Sequence, residues 1–384
     1  MVFLIGMFSV AFRVKIVEAS GTITIKDDGS IDPSDAPINT TDKVTYYFTS
    51  NISDKIVIQR DNIVVDGANY ALQGTGSGWG ITLESTYNVT IKNTKIIQFY
   101  DGIFLIESSN NTLLGNNITE SDSCGIYLHS SFYNNVSGNY ITNSSYGGIY
   151  VRNSSNNIIS GNNIGPNNGG LFLYDSSNDN KIFHNNFINN EVVQAISGNC
   201  LNIWDDDYPS GGNYWSDYAG VDANMDGIGD SSYEVEGWDS TNIDHYPLMG
   251  MFSDFPVTLE EETYHVTTVC NSTISAFEFD QVNKIIRFNV TGEEGIGFCR
   301  VSIPHALVEP PYNVTVDGYS PLYANYILYD NGTHTWIYFT YQHSTHEVEI
   351  MPEFPTWTPI ILILTVLTIA VTIHKRRPLK TPTH

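Results

Sequence analysis

The chain has 384 residues, with 17 Lys+Arg against 42 Asp+Glu, a formal net charge of −25 and a pI near 4.5. That length has room for two domains with appendages, and such acidity without a basic patch in the bulk of the chain excludes nucleic acid as a partner. The four cysteines, Cys124, Cys200, Cys270 and Cys299, form no Cys-x-x-Cys pair, which argues against structural zinc. Cys270 and Cys299 fall in one later domain, where a disulfide is open to them.

Residues 1–19 carry an apolar run, Val2 to Phe12, and end in Val17-Glu-Ala19, so they read as a signal peptide. Arg13 and Lys15 follow the apolar run instead of preceding it. Residues 20–60 hold short alternating strands such as Thr22–Lys26 and Lys55–Gln59, expected to cap an open sheet edge.

Residues 61–200 repeat with a period of 22–23. Gly102, Gly125, Gly148 and Gly170 each open a four-residue strand, and Asn116, Asn139, Asn162 and Asn185 recur at the same step. A fixed period of this size marks a stacked repeat, and the absence of 3.6-residue periodicity makes each unit strands and turns. The fold class expected is all-β: a parallel β-helix of 22–23-residue coils, rising about 4.8 Å per coil. Alternation points Ile103, Leu105, Ile126, Leu128, Ile149, Val151, Leu171 and Leu173 inward. It points Phe104, Tyr127, Tyr150 and Phe172 outward, followed by Ile106, His129, Arg152 and Tyr174. The repeated asparagines are expected in left-handed turns, each amide bonding to the amide stacked above it.

Residues 201–250 are acidic and aromatic. Within them Asp222, Asn224, Asp226, Ile228 (through its carbonyl) and Asp230 follow the first half of an EF-hand loop, with Gly227 at the sixth position. A structural Ca²⁺ is the cofactor expected there, although Tyr233 stands where the bidentate Glu should be. Residues 254–351 alternate in short strands with turns at 8–12-residue spacing, as in a small β-sandwich. Residues 354–374 are apolar enough for one transmembrane helix, and the basic tail 375–384 marks its cytoplasmic side. The sequons at Asn271, Asn289, Asn313 and Asn331 lie outside the repeat and favour an exported glycoprotein.

Blocks such as Asn110-Asn-Thr-Leu-Leu-Gly-Asn-Asn-Ile and Asn156-Asn-Ile-Ile-Ser-Gly-Asn-Asn-Ile resemble the NosD-type right-handed parallel β-helix. So does the closing stretch from Gly212 to Asp230 with Asp244-His-Tyr-Pro-Leu-Met. That family belongs to a group of carbohydrate-binding proteins and sugar hydrolases and is common in archaeal surface proteins. The resemblance implies the hand of the coil and leaves the activity open.

Three functions compete. Hydrolase or lyase chemistry needs paired carboxylates, but Glu107, Glu120, Asp122, Asp175 and Asp179 do not recur at one coil's spacing. Copper, which the family name suggests, needs converging soft or imidazole ligands, and the coils hold only His129 and His184. The outward aromatic row remains, with His129, Arg152 and Tyr174 beside it. It is a flat platform for sugar rings or a protein partner, or else plain cross-coil packing. The expectation is therefore a non-enzymatic, membrane-anchored cell-surface protein whose β-helix binds a polysaccharide or a cell-surface protein.

Overall fold

The computed structural model describes residues 21–238 and 242–353, and no helix occurs among them. The expected signal peptide (1–19), transmembrane helix (354–374) and basic tail (375–384) lie outside the described residues. No helix of the described residues is long and apolar enough to cross a membrane.

The chain divides into two units, the first ending at Asp254. In it, sheets of ten, eight and seven strands wind as a β-solenoid of the right-handed type, with about seven turns. Each coil contributes one strand to each wall, as Gly147–Arg152, Ile158–Ser160 and Asn163–Ile164 do. Parallel pairing sets Ile103, Ile126, Ile149 and Leu171 in one row, and Leu105, Leu128, Val151 and Leu173 in the next. Both rows are fully buried. The other two walls add rows such as Leu113, Val136, Ile159, Ile182 and Ile118, Ile141, Ile164, Phe187. Each such side chain contributes roughly 1.5–3 kcal/mol on leaving water, so stacking supplies the core that no single coil can build.

The strand glycines are fixed by space. A Cβ on Gly125 would lie 2.4 Å from Ile141 Cγ2 and 2.7 Å from the Gly148 carbonyl oxygen of the next coil. The glycines before the repeated asparagines are fixed by conformation, since Gly115, Gly138 and Gly161 have φ of 62°, 63° and 65°. His184 takes that place in the fourth coil at φ 58°.

One expectation is corrected here. Asn116, Asn139, Asn162 and Asn185 are not the left-handed turn residues; they are buried behind those glycines as an interior ladder. Each side-chain amide donates to the next Asn Oδ1, at 3.0, 2.9, 2.8 and 3.0 Å, ending on Asn213. A second ladder, unforeseen, runs Asn111, Asn134, Asn157, Asn180 and Asn202 at 3.1, 3.1, 2.9 and 3.0 Å. These amides satisfy backbone groups at two corners of every coil, where the chain turns and the sheet bonds stop.

Both ladders close on one short segment. Asn202 N donates to Asn242 Oδ1, and Asn213 N donates to Asp244 Oδ2. Asp244 also accepts from Trp215 Nε1 at 2.8 Å and from Tyr246 N at 3.0 Å. Burial pushes its carboxyl up to about 7, against the pull of those three donors. Every amide in the ladder has its nitrogen towards this end, so the dipoles present their positive side to the carboxylate.

At the other end, strands Ile31–Asp32 and Ile38–Asn39 pair antiparallel to Thr22–Ile25 and Thr45–Phe48, and so blunt two sheet edges. Thr22–Ile25 and Lys55–Ile58 themselves pair in parallel within the ten-stranded wall. The C-terminal bore is closed by rings, with Phe187 on Trp215 at 4.4 Å and Trp215 on Tyr233 at 4.2 Å.

The second unit has a five-stranded and a four-stranded sheet built on antiparallel pairings. Val266, Val301 and Ile337 from the first and Ile286, Phe288 and Val348 from the second share one buried cluster.

Candidate functional site

On the outer surface of the ten-stranded wall, Phe104, Tyr127, Tyr150 and Phe172 are direct cross-coil partners. Their ring centroids are 5.2, 5.0 and 6.2 Å apart, with planes inclined by 49°, 86° and 56°. The expected flat stack is therefore corrected to a corrugated strip of tilted and edge-to-face rings, as ring quadrupoles prefer. The two phenylalanines are also covered, being only 7% and 6% exposed. Trp79 lies on Phe104 at 4.6 Å, and Tyr146 on Phe172 at 5.1 Å. The Phe172 ring lies over Gly147 and Gly169, where a Cβ would come within 2.8 and 2.3 Å of it.

The strip is longer than the repeat suggests. Tyr150 leads to Tyr174 at 5.9 Å, and Tyr174 to Trp238 at 6.3 Å. Rings thus run without a break from Trp79 to Trp238, roughly 30 Å at one coil per 4.8 Å. Trp79, Tyr146 and Trp238 are half-exposed or more, Trp238 at 75%. None of the three was foreseen, because each stands off the repeated strand position. The one signal was their aromatic character beside Gly78, Gly147 and Gly237.

Polar groups border the strip. Tyr127 Oη is 3.3 Å from His129 Nδ1, and the Arg152 guanidinium bonds to that hydroxyl and to Asp175 Oδ2, at 2.5 Å from Nε. Burial raises the Asp101 carboxyl above its ordinary value, although Cys124 N, Ser123 and Trp79 donate to it. Glu107 and Asp175 lie on the turn that follows these strands, but three coils apart, roughly 14 Å. Beyond the strip, an open cleft of about 910 Å³ is lined by Asp27, Arg60, Asp61 and Glu84 among others. Arg60 donates there to the Lys43 and Asp27 carbonyls.

The loop 222–230 is folded by its own carboxylates. Asp222 accepts from Asp226 N (2.9 Å) and Gly227 N (2.8 Å), and Asp230 Oδ2 accepts from Ala223 N. Asn224 donates to Asp226, and Ile228 is buried and bridges to Leu248. Burial, and then the charges of Asp226 and Asp230, raise the Asp222 carboxyl against its two backbone donors.

Among the described residues, no three His, Cys, Asp or Glu side chains gather closely enough to hold a metal ion. His129 sits on the ten-stranded wall beside Tyr127. His184 sits at another corner, stacked on Phe252 at 4.1 Å and 3.1 Å from the Ser210 carbonyl. The imidazoles do not converge, and the described residues do not fit a copper centre.

No curated protein matches the chain. Among solved structures it is similar to DFA-IIIase from Arthrobacter chlorophenolicus A6 in complex with GF2, at 12% identity and a TM-score of 0.32. That match covers 41% of this chain and 40% of the enzyme. It is similar to the Dettilon tailspike protein at 10% identity and a TM-score of 0.30, over 79% and 81% of the two chains. It is similar to alginate lyase from Paenibacillus sp. str. FPU-7 at 12% identity and a TM-score of 0.22, over 43% and 92%. None of these lends the chain an activity. Residues 23–220 match the family model described as periplasmic copper-binding protein (NosD), and by that match over more than half its length the chain belongs to the NosD family.

Proposed function

We propose that the chain is a non-enzymatic cell-surface protein whose solenoid binds an extended polysaccharide along the strip from Trp79 to Trp238. One observation carries this reading: the rings form an unbroken surface with Tyr127 and Tyr150 half-open to solvent and polar groups along its border. Aromatic faces take the apolar faces of sugar rings, while the hydroxyls of Tyr127 and Tyr150 and the His129 imidazole meet sugar hydroxyls. A cell-surface protein would meet the same strip as a lateral partner. The second unit, read as a β-sandwich, and the apolar segment 354–374, read as a membrane anchor, would hold the solenoid outside the cell.

Tyr127→Ala with Tyr150→Ala should reduce retention on surface polysaccharide at least tenfold in affinity electrophoresis. The melting temperature should fall only slightly, because both rings lie outside the core. Retention that ignores both changes defeats the reading.

The alternative is a polysaccharide lyase or glycoside hydrolase. Asp101 favours it, as a buried carboxyl with a raised pKa at the Trp79 end of the strip. Release of reducing or unsaturated sugar ends by the wild type, lost in Asp101→Asn, would establish the enzyme instead.

We also propose a structural Ca²⁺ on Asp222, Asn224, Asp226, the Ile228 carbonyl and Asp230, whose three carboxylates stand too far apart to hold it as they are and would be drawn together around the ion. All five donors are oxygens, and a cation would offset both the burial that raises Asp222 and the smaller repulsion from Asp226 and Asp230. Millimolar calcium should raise the melting temperature of the wild type by several degrees over chelator, and that of Asp222→Asn by much less. Identical melting in calcium and chelator rules the site out.

A further inference from the structure

We propose that Cys270 and Cys299 are joined by a disulfide when the protein matures in an oxidising compartment. The two residues are direct partners across the antiparallel strands Glu262–Cys270 and Ile296–Pro304. Facing residues of such a pair have Cα atoms about 4.5–5.5 Å apart, inside the range a disulfide spans. Both side chains are buried, and the two thiols lie in hydrogen-bonding contact with each other. Both also touch one oxygen, Tyr341 Oη, at 3.3 Å from Cys270 Sγ and 3.7 Å from Cys299 Sγ.

That shared oxygen makes oxidation cheap. Tyr341 donates its own hydroxyl proton to Ser272 Oγ at 2.8 Å, so towards the sulfurs it acts only as an acceptor of two weak thiol donors. Joining the sulfurs removes those donors together, and Tyr341 keeps Ser272. No buried polar group is left without a partner. The neighbouring Val269, Val301 and Phe339 hold the sheet in place around the pair.

The other two cysteines do not compete. Cys124 stands on the solenoid's ten-stranded wall, and Cys200 follows the last full strand of that wall, where its thiol reaches the Gly198 carbonyl. More than three coils separate them.

The step is a thiol–disulfide exchange with an oxidant of the disulfide class. One cysteine thiolate attacks the oxidant and expels a thiol, and the second thiolate displaces the other sulfur. One S–S bond is made in the protein and one broken in the oxidant, which carries away two electrons and two protons.

The full chain, exported from its host and equilibrated in a glutathione buffer at −180 to −210 mV, is denatured and alkylated, and its intact mass is measured. Two alkyl groups are expected without reductant, on Cys124 and Cys200, and four after reduction. Cys299→Ala should raise the count without reductant to three. Reduction should lower the wild-type melting transition by about 10 °C or more, given a closed loop of about 30 residues. Four alkyl groups without reductant, or a peptide map linking any other pair, overturns the proposal.

Discussion

Replacing Ile149 with aspartate should leave no cooperative unfolding transition for the solenoid. Ile149 is fully buried, between Ile126 of the preceding coil and Leu171 of the next. Its side chain belongs to the buried apolar cluster that fills the solenoid, with Ile126, Ile159, Ile164 and Leu171. An unpaired charge in such a site costs more than about 4–5 kcal/mol, which is most of the stability of an ordinary domain. Circular dichroism melting of the protein is the measurement, with Ile149→Val as control at about 1 kcal/mol. Wild-type melting in the aspartate variant would mean that this row does not face inward.

Asn162→Ala should be nearly as damaging, although it removes only an amide. Asn162 Oδ1 accepts from Asn139 N and Nδ2, both at 2.9 Å, and its own Nδ2 donates to Asn185 Oδ1 and the Val136 carbonyl, both at 2.8 Å. Alanine orphans donors and acceptors in two adjacent coils, out of reach of water. At about 1–3 kcal/mol per buried unsatisfied group, a loss of roughly 3–5 kcal/mol follows. Urea unfolding of the variant reads this directly. Asn163, next in sequence and only half-buried, supplies the comparison, and Asn163→Ala should cost less than about 1.5 kcal/mol. Equal effects at the two positions would remove the ladder from the account of stability.

The period and the inward rows were legible because strand alternation is a local property, and a buried row must be apolar in every coil. The ladders were only half legible. Asparagine suits a left-handed turn and a buried amide stack equally well, and spacing alone does not separate them. The deciding residue is the one before the asparagine, whose positive φ turns the chain: Gly115, Gly138, Gly161 and His184 in one ladder, Asn110, Tyr133, Asn156 and Asp179 in the other. The strip was legible as a row of four and illegible as a surface. Trp79 and Tyr146 reach it from beside the repeated strand position and Trp238 from just past the strand Glu236–Gly237, contacts set by tertiary folding. The tilt of the rings follows from packing against those neighbours, which no period encodes.

The amide ladders also make the solenoid a polymer with one permitted step length. Each rung accepts from the coil before it and donates to the coil after it, so every interior coil presents the same socket and the same plug. Asn242 and Asp244 then terminate both ladders from one short segment, whatever number of coils lies before them. A gene that duplicates or loses one whole 23-residue unit keeps every socket filled and both ends closed. A gene that gains residues inside a unit keeps both ladders only where the added length loops out between rungs, as it does between Asn185 and Asn213, 28 residues apart. The solenoid of such chains lengthens along its axis only by whole coils, and the reach of any surface it carries lengthens or shortens in the same steps of about 4.8 Å.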